Sequence, residues 1–188
     1  MVDYAAINEK LSALKELGVG EFAHLNGSLE THLLGTYELL REWNNPGYVC
    51  DAGLYHAVYG TQPMERLGIP HKEYSPSDRP KIREIIGEES EQLVYFYAAC
   101  DRDFFYPQIG SSMAQYRDRF TGNKLELPLD KLKGMLEITM ANELEICMSG
   151  PLIKEKNRIE YIELFSRFTG LVSAEAFSRY QDVFDGRK

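Results

Sequence analysis

The strongest constraint on the fold is a helical period. Across residues 28–43, Leu29, Leu33, Tyr37, Leu40 and Trp43 recur every three or four positions, and "NNPG" then stops the run. That spacing lines one face of an α-helix with apolar groups. Residues 3–17 repeat the pattern with Ile7, Leu11, Leu14 and Leu17, ahead of the breakers Gly18 and Gly20. A third helix is expected from about Tyr48 to Tyr59, and others over 80–87, 88–103, 128–148, 155–168 and 173–184. The aromatic stretch "DRDFFYPQIG" breaks at Pro107 and Gly110. Residues 62–80 are rich in Pro, Ser and charge and read as a surface loop, with His71 facing solvent. No alternating apolar pattern, internal repeat or low-complexity tract interrupts the helices. The chain is therefore expected to be all-α, one helical domain over 1–188 with a core at about 24–148 and added helices over 155–184.

Charge narrows the partners. With 29 acidic and 21 basic residues the formal net charge is −8, and no basic run exceeds two residues. That argues against nucleic acid and against an anionic membrane surface. No stretch reaches the roughly 20 apolar residues that span a bilayer. The opening "MVDYAAINEKL" has neither the basic head nor the apolar run of a signal peptide, so a cytoplasmic location is expected. Cys50, Cys100 and Cys147 are odd in number and lack a CxxC pair, and they read as buried apolar groups rather than a disulfide framework.

Chemistry must then come from polar residues on apolar helix faces. On the third helix Val49, Ala52, Gly53, His56 and Gly60 share a face, so His56 is expected to point where small residues let another helix approach. Leu93, Val94, Tyr97, Asp101 and Phe104 form a stripe that puts Asp101 inside, beside Arg102. A buried carboxylate needs a cation, a metal or several donors. His32 sits at the edge of its stripe, with His24 in the preceding loop, and Asn142 and Glu143 lie on the apolar side of the long helix. Each has a plainer reading: a core histidine held by hydrogen bonds, a structural Asp–Arg pair, a helix-bridging Asn–Glu pair.

His32 on an apolar helix, then "AGLYHAVYGT", then "AACDR" after "IGEESEQLV", resembles the HD-domain superfamily, and most closely guanosine tetraphosphate hydrolase domains of the RelA/SpoT type. The resemblance covers roughly residues 24–105 and implies an all-helical, metal-binding core. By it, His32, His56 and Asp101 fall on three of the family's metal ligands. The Asp that follows the second His is Ala57 here, and two acidic residues that activate water correspond to Tyr59 and Gly60.

His24 is the candidate to replace the missing ligand, giving three imidazoles and a carboxylate suited to one divalent transition metal ion, Mn, Fe or Zn. Tyr59, Tyr37 or Tyr55 would donate a hydrogen bond, and Glu143 or Glu145 would act as general base. Arg102, with Asn142, and also Arg79 and Arg83, would anchor a small anionic molecule. The expected function is a divergent metal-dependent HD-like hydrolase of a small phosphorylated or nucleotide-like compound. Two alternatives share the scaffold: an iron-dependent oxygenase, and a catalytically inactive ligand-binding module, which the loss of acidic groups at 57, 59 and 60 motivates. A homo-oligomer is left open.

Overall fold

The computed structural model describes residues 4–19, 23–24, 27–68, 74–111 and 114–185. Its helices are α1 (Tyr4–Glu16), α2 (Leu29–Glu42), α3 (Gly47–Tyr55), α4 (Gln62–Leu67), α5 (Arg79–Ile86), α6 (Glu88–Ala99), α7 (Arg102–Phe105), α8 (Leu129–Ser149), α9 (Pro151–Ser166) and α10 (Ala174–Asp185). Two small antiparallel ladders accompany them, β1 (Ala23–His24) with β2 (Gly27–Ser28), and β3 (Tyr116–Arg117) with β4 (Lys124–Leu125). The fold is all-α. No described helix is long and apolar enough to cross a membrane.

The α2 stripe does what its period implies: Leu29, Leu33, Tyr37, Leu40 and Trp43 are all buried. Ser28 starts the helix by accepting the Thr31 N–H on its side chain, and Asn44, with φ 57, ends it in a left-handed turn. α2 packs on α3 and α8, α3 packs on α6, and α6 on α8, so these four helices enclose the core. Two glycines permit the approach. A Cβ on Gly53 would stand 2.2 Å from Leu40 Cδ1, and one on Gly134 would stand 2.9 Å from Leu93 Cδ2. Neither space exists for a side chain.

Several boundaries differ from the periodicity. α3 stops at Tyr55, with His56 as its C-cap and a turn over 56–59. The 62–80 stretch contains α4, which Thr61 caps by accepting the Met64 N–H, and a 3-10 turn at Pro76–Asp78. His71 lies outside the described residues. The expected 88–103 helix is broken at Cys100, whose backbone turns extended and bridges to Asp118. Arg119 N–H donates to the Ala99 carbonyl and Asp101 N–H to the Arg117 carbonyl, so the chain beyond α6 is claimed by a neighbouring strand. Asp101 then caps α7 by accepting the Phe104 N–H. α9 begins at Pro151 rather than at 155, because proline is compatible with the first helical position.

Candidate functional site

The site is built where α2, α3, α6, α7, α8 and α9 converge. His32 projects from α2 and His56 from the end of α3, and both are buried. Their rings meet edge to face with centroids 5.4 Å apart, and the His56 ring packs in the same manner on Tyr97, at 5.3 Å. Each Nδ1 has an acceptor. His56 Nδ1–H donates to the Gly53 carbonyl at 2.7 Å, and His32 Nδ1–H donates to the Glu145 carboxylate. A neutral imidazole so held keeps its lone pair on Nε2. His32 Nε2 stands 3.0 Å from Asn142 Oδ1, so an imidazolium form donates there instead.

On α8, Asn142 Nδ2 donates to Glu143 Oε1 at 3.0 Å, while Tyr161 of α9 donates its hydroxyl to Glu143 Oε2 at 2.7 Å. Burial pushes the Glu143 carboxyl above its ordinary range, against the opposing pull of Tyr161, Arg102, His32 and Asn142. Arg102 completes the wall. Its guanidinium lies over the Tyr97 ring at 4.8 Å, Nε donates to the Tyr106 hydroxyl at 3.2 Å, and the buried Nη1 has no hydrogen-bond partner among the described residues.

Two cavities meet here. The inner one, about 170 Å³, is lined by His32, His56, Ala57, Tyr97 and Asn142 among others. The outer cleft, about 570 Å³, has Tyr106, Pro107, Leu164 and Arg167 in its wall. Pro63, Arg102, Glu143, Asn157 and Tyr161 line both.

Of the residues singled out in the sequence, His32, His56, Arg102, Asn142 and Glu143 come together in the inner cavity. Asp101 does not join them. Its Oδ2 is held by Arg117 through Nη2 at 2.6 Å and Nε at 2.8 Å, its Oδ1 caps α7, and it lines neither cavity. Tyr59 also points elsewhere: its hydroxyl donates to Glu91 Oε1 at 2.7 Å. Glu91 is the buried hub of a second network, taking Arg79 through Nε at 2.7 Å and Nη2 at 2.9 Å, with Arg83 Nη2 at 3.6 Å. Arg79 and Arg83 are therefore structural partners of Glu91. The backbone of His24 lies in β1, and its side chain is outside the described residues. Glu145 orients His32. Tyr161 and Asn157 were not anticipated, although Ile153, Asn157 and Tyr161 fall at four-residue steps on α9 and all three line the inner cavity. The two polar members of that spacing were the available signal.

The donor chemistry bears on a metal. Ligating histidines characteristically donate Nδ1–H to a carboxylate or carbonyl while Nε2 binds the ion, and His32 and His56 both have that second contact. They are the two described side chains whose second contact suits a metal ligand, and Asn142 Oδ1 lies against the Nε2 of His32. Among the described residues no group of three or more His, Cys, Asp or Glu is arranged to hold one.

Residues 13–102 match the family model described as a domain of unknown function, DUF6817. No curated protein and no solved structure is matched. The matched segment includes His32, His56, Ala57 and Arg102, whereas Asn142, Glu143 and Tyr161 lie beyond it.

Proposed function

We propose that the protein is a divergent metal-dependent HD-like hydrolase, acting in the cytoplasm on a small phosphorylated or nucleotide-like compound. The observation that supports this reading most is the orientation of His32 and His56, each with Nδ1 engaged and the two rings in contact at the wall of a buried cavity. When bound at these imidazoles, Mn, Fe or Zn supplies Lewis acidity to the reacting centre. The chain's own groups do the rest. Arg102 neutralises the anionic substrate. Glu143, which lines both cavities and whose carboxyl burial pushes above its ordinary range, is the group placed to exchange a proton with substrate or water. Asn142 holds the Glu143 carboxyl, and without metal it accepts from His32 Nε2, the atom a metal would take. Three free, buried cysteines suit a reducing compartment.

Elemental analysis of protein purified without chelator, wild type against His56→Ala, tests the reading. Near-stoichiometric metal that disappears in the variant, together with Mn(II)-dependent turnover of model phosphoesters, is the expected result. Iron with oxygen consumption would favour the oxygenase instead. Absence of metal in both proteins after incubation with Fe(II), Mn(II) and Zn(II) removes both.

A second reading, a binding module without turnover, draws on one feature: Ala57 lines the cavity where the resembled hydrolases carry a carboxylate, and Tyr59 is committed to Glu91. Anion binding without hydrolysis is its signature.

A further inference from the structure

Three buried arginine nitrogens lack a hydrogen-bond partner among the described residues: Arg83 Nε, Arg102 Nη1 and Arg119 Nη2. Two of these guanidiniums are nevertheless ion-paired. Arg83 has Glu88 at 3.0 Å, and Arg119 has Glu65 at 2.6 Å. Arg102 is in no ion pair: it meets the Tyr106 hydroxyl and the Tyr97 ring, and the Glu143 carboxyl of the same wall acts on it only from beyond ion-pair distance. A buried guanidinium nitrogen with its bond unmade is costly, because the desolvated N–H recovers nothing for the water it lost. A bound oxyanion would offset that cost and take two parallel N–H bonds from the planar fork.

Its position says what kind of oxyanion. Arg102 lines both cavities, so a group bound to it sits at the threshold between them. The inner space of about 170 Å³ takes little more than a head group beside the histidines. The outer cleft is several times larger, about 570 Å³, and Tyr106, Pro107, Tyr161 and Leu164 give it a wall for an apolar or aromatic body. The other arginines of that cleft are already engaged: Arg66 pairs with Asp103, and Arg167 with Glu163 at 3.2 Å. Among the described residues Arg102, at the inner end, is the one arginine of the cleft outside an ion pair, and it stands beside the Glu143 carboxyl.

We infer that Arg102 is the oxyanion subsite for an elongated organic ligand, whose carboxylate or phosphate binds at the threshold and whose body lies in the outer cleft. This rests on the reading that the cavity is where substrate enters, but it requires neither a metal nor turnover.

The test is equilibrium titration of the full chain with EDTA present, using phenyl phosphate, phenylacetate, inorganic phosphate, acetate and benzyl alcohol as probes. At least one aryl oxyanion is expected to bind tenfold or more tightly than the matching small anion and than benzyl alcohol. Arg102→Met is expected to abolish that preference, and Arg102→Lys, which keeps the charge without the fork, to weaken it several-fold while retaining circular dichroism. The tighter of the two aryl anions identifies the head group. The inference is overturned if wild type binds neither aryl oxyanion, or if Arg102→Lys, and Arg102→Met where it folds, bind both as wild type does. Binding without hydrolysis leaves the subsite standing and removes the hydrolase reading. Phosphoester turnover unaffected by either variant does the reverse.

Discussion

Tyr161 and Glu143, 18 residues apart, join α9 to α8 through one hydroxyl–carboxylate hydrogen bond of 2.7 Å, made at the wall shared by both cavities. Through Asn142 the same carboxylate is linked to His32, so a group on the C-terminal helix is coupled to the imidazole pair. Tyr161→Phe removes only the donor. It is expected to lower unfolding free energy by about 1.5 to 3 kcal/mol, the range for a hydrogen bond to a charged group, and to weaken ligand binding in the cavity. Urea denaturation checks the first, and stability equal to wild type would contradict it.

Glu91 is fully buried and joined to Arg79, Arg83 and Tyr59. Removing Glu91 leaves the buried Tyr59 hydroxyl without its acceptor, a cost of about 1 to 3 kcal/mol, while Arg79 and Arg83 are partly exposed and regain water. Glu91→Ala should therefore be among the more damaging single substitutions here. Chemical denaturation that finds it as stable as wild type would show the network to be dispensable.

Gly53 is a close-contact position. Its replacement by Ala puts a methyl 2.2 Å from Leu40 Cδ1, which forces α2 and α3 apart or drives Leu40 off its rotamer. Overpacking of this sort costs about 1 to 3 kcal/mol. Gly53→Ala combined with Leu40→Val should recover part of the loss, and a double-mutant cycle reads the coupling. Additive effects would place the strain elsewhere.

The three thiols should be inert in the native state. Burial pushes Cys50 up to about 11, and Cys100 and Cys147 each up to about 12. At pH 8 the thiolate, the nucleophilic form, is then scarce, and access is blocked as well. Mass spectrometry after iodoacetamide at pH 8 is expected to find all three unmodified, with full labelling once denaturant is added. Fast labelling of any of them in folded protein would show that the segment around it opens.

Periodicity by itself determined the helical class and the buried side of α2, whose apolar stripe lies where its spacing puts it. It also put His56 on an interior face and His32 at the edge of one, because a residue's place in a 3.6-residue period decides its face without reference to a partner. Partners were another matter. Asp101 follows an apolar stripe and looks like an interior carboxylate, yet Arg117, 16 residues on, captures it after the chain turns out of α6 at Cys100. Tyr59 lies next to the histidine segment and is drawn to Glu91, 32 residues away. Asn157 and Tyr161 reach the cavity only because α9 folds back across it after Gly150. Each of these outcomes depends on which groups meet across distances that no local spacing encodes. Tertiary packing decided them, by bringing a cation, a carboxylate or a hydroxyl to a buried group that needed one.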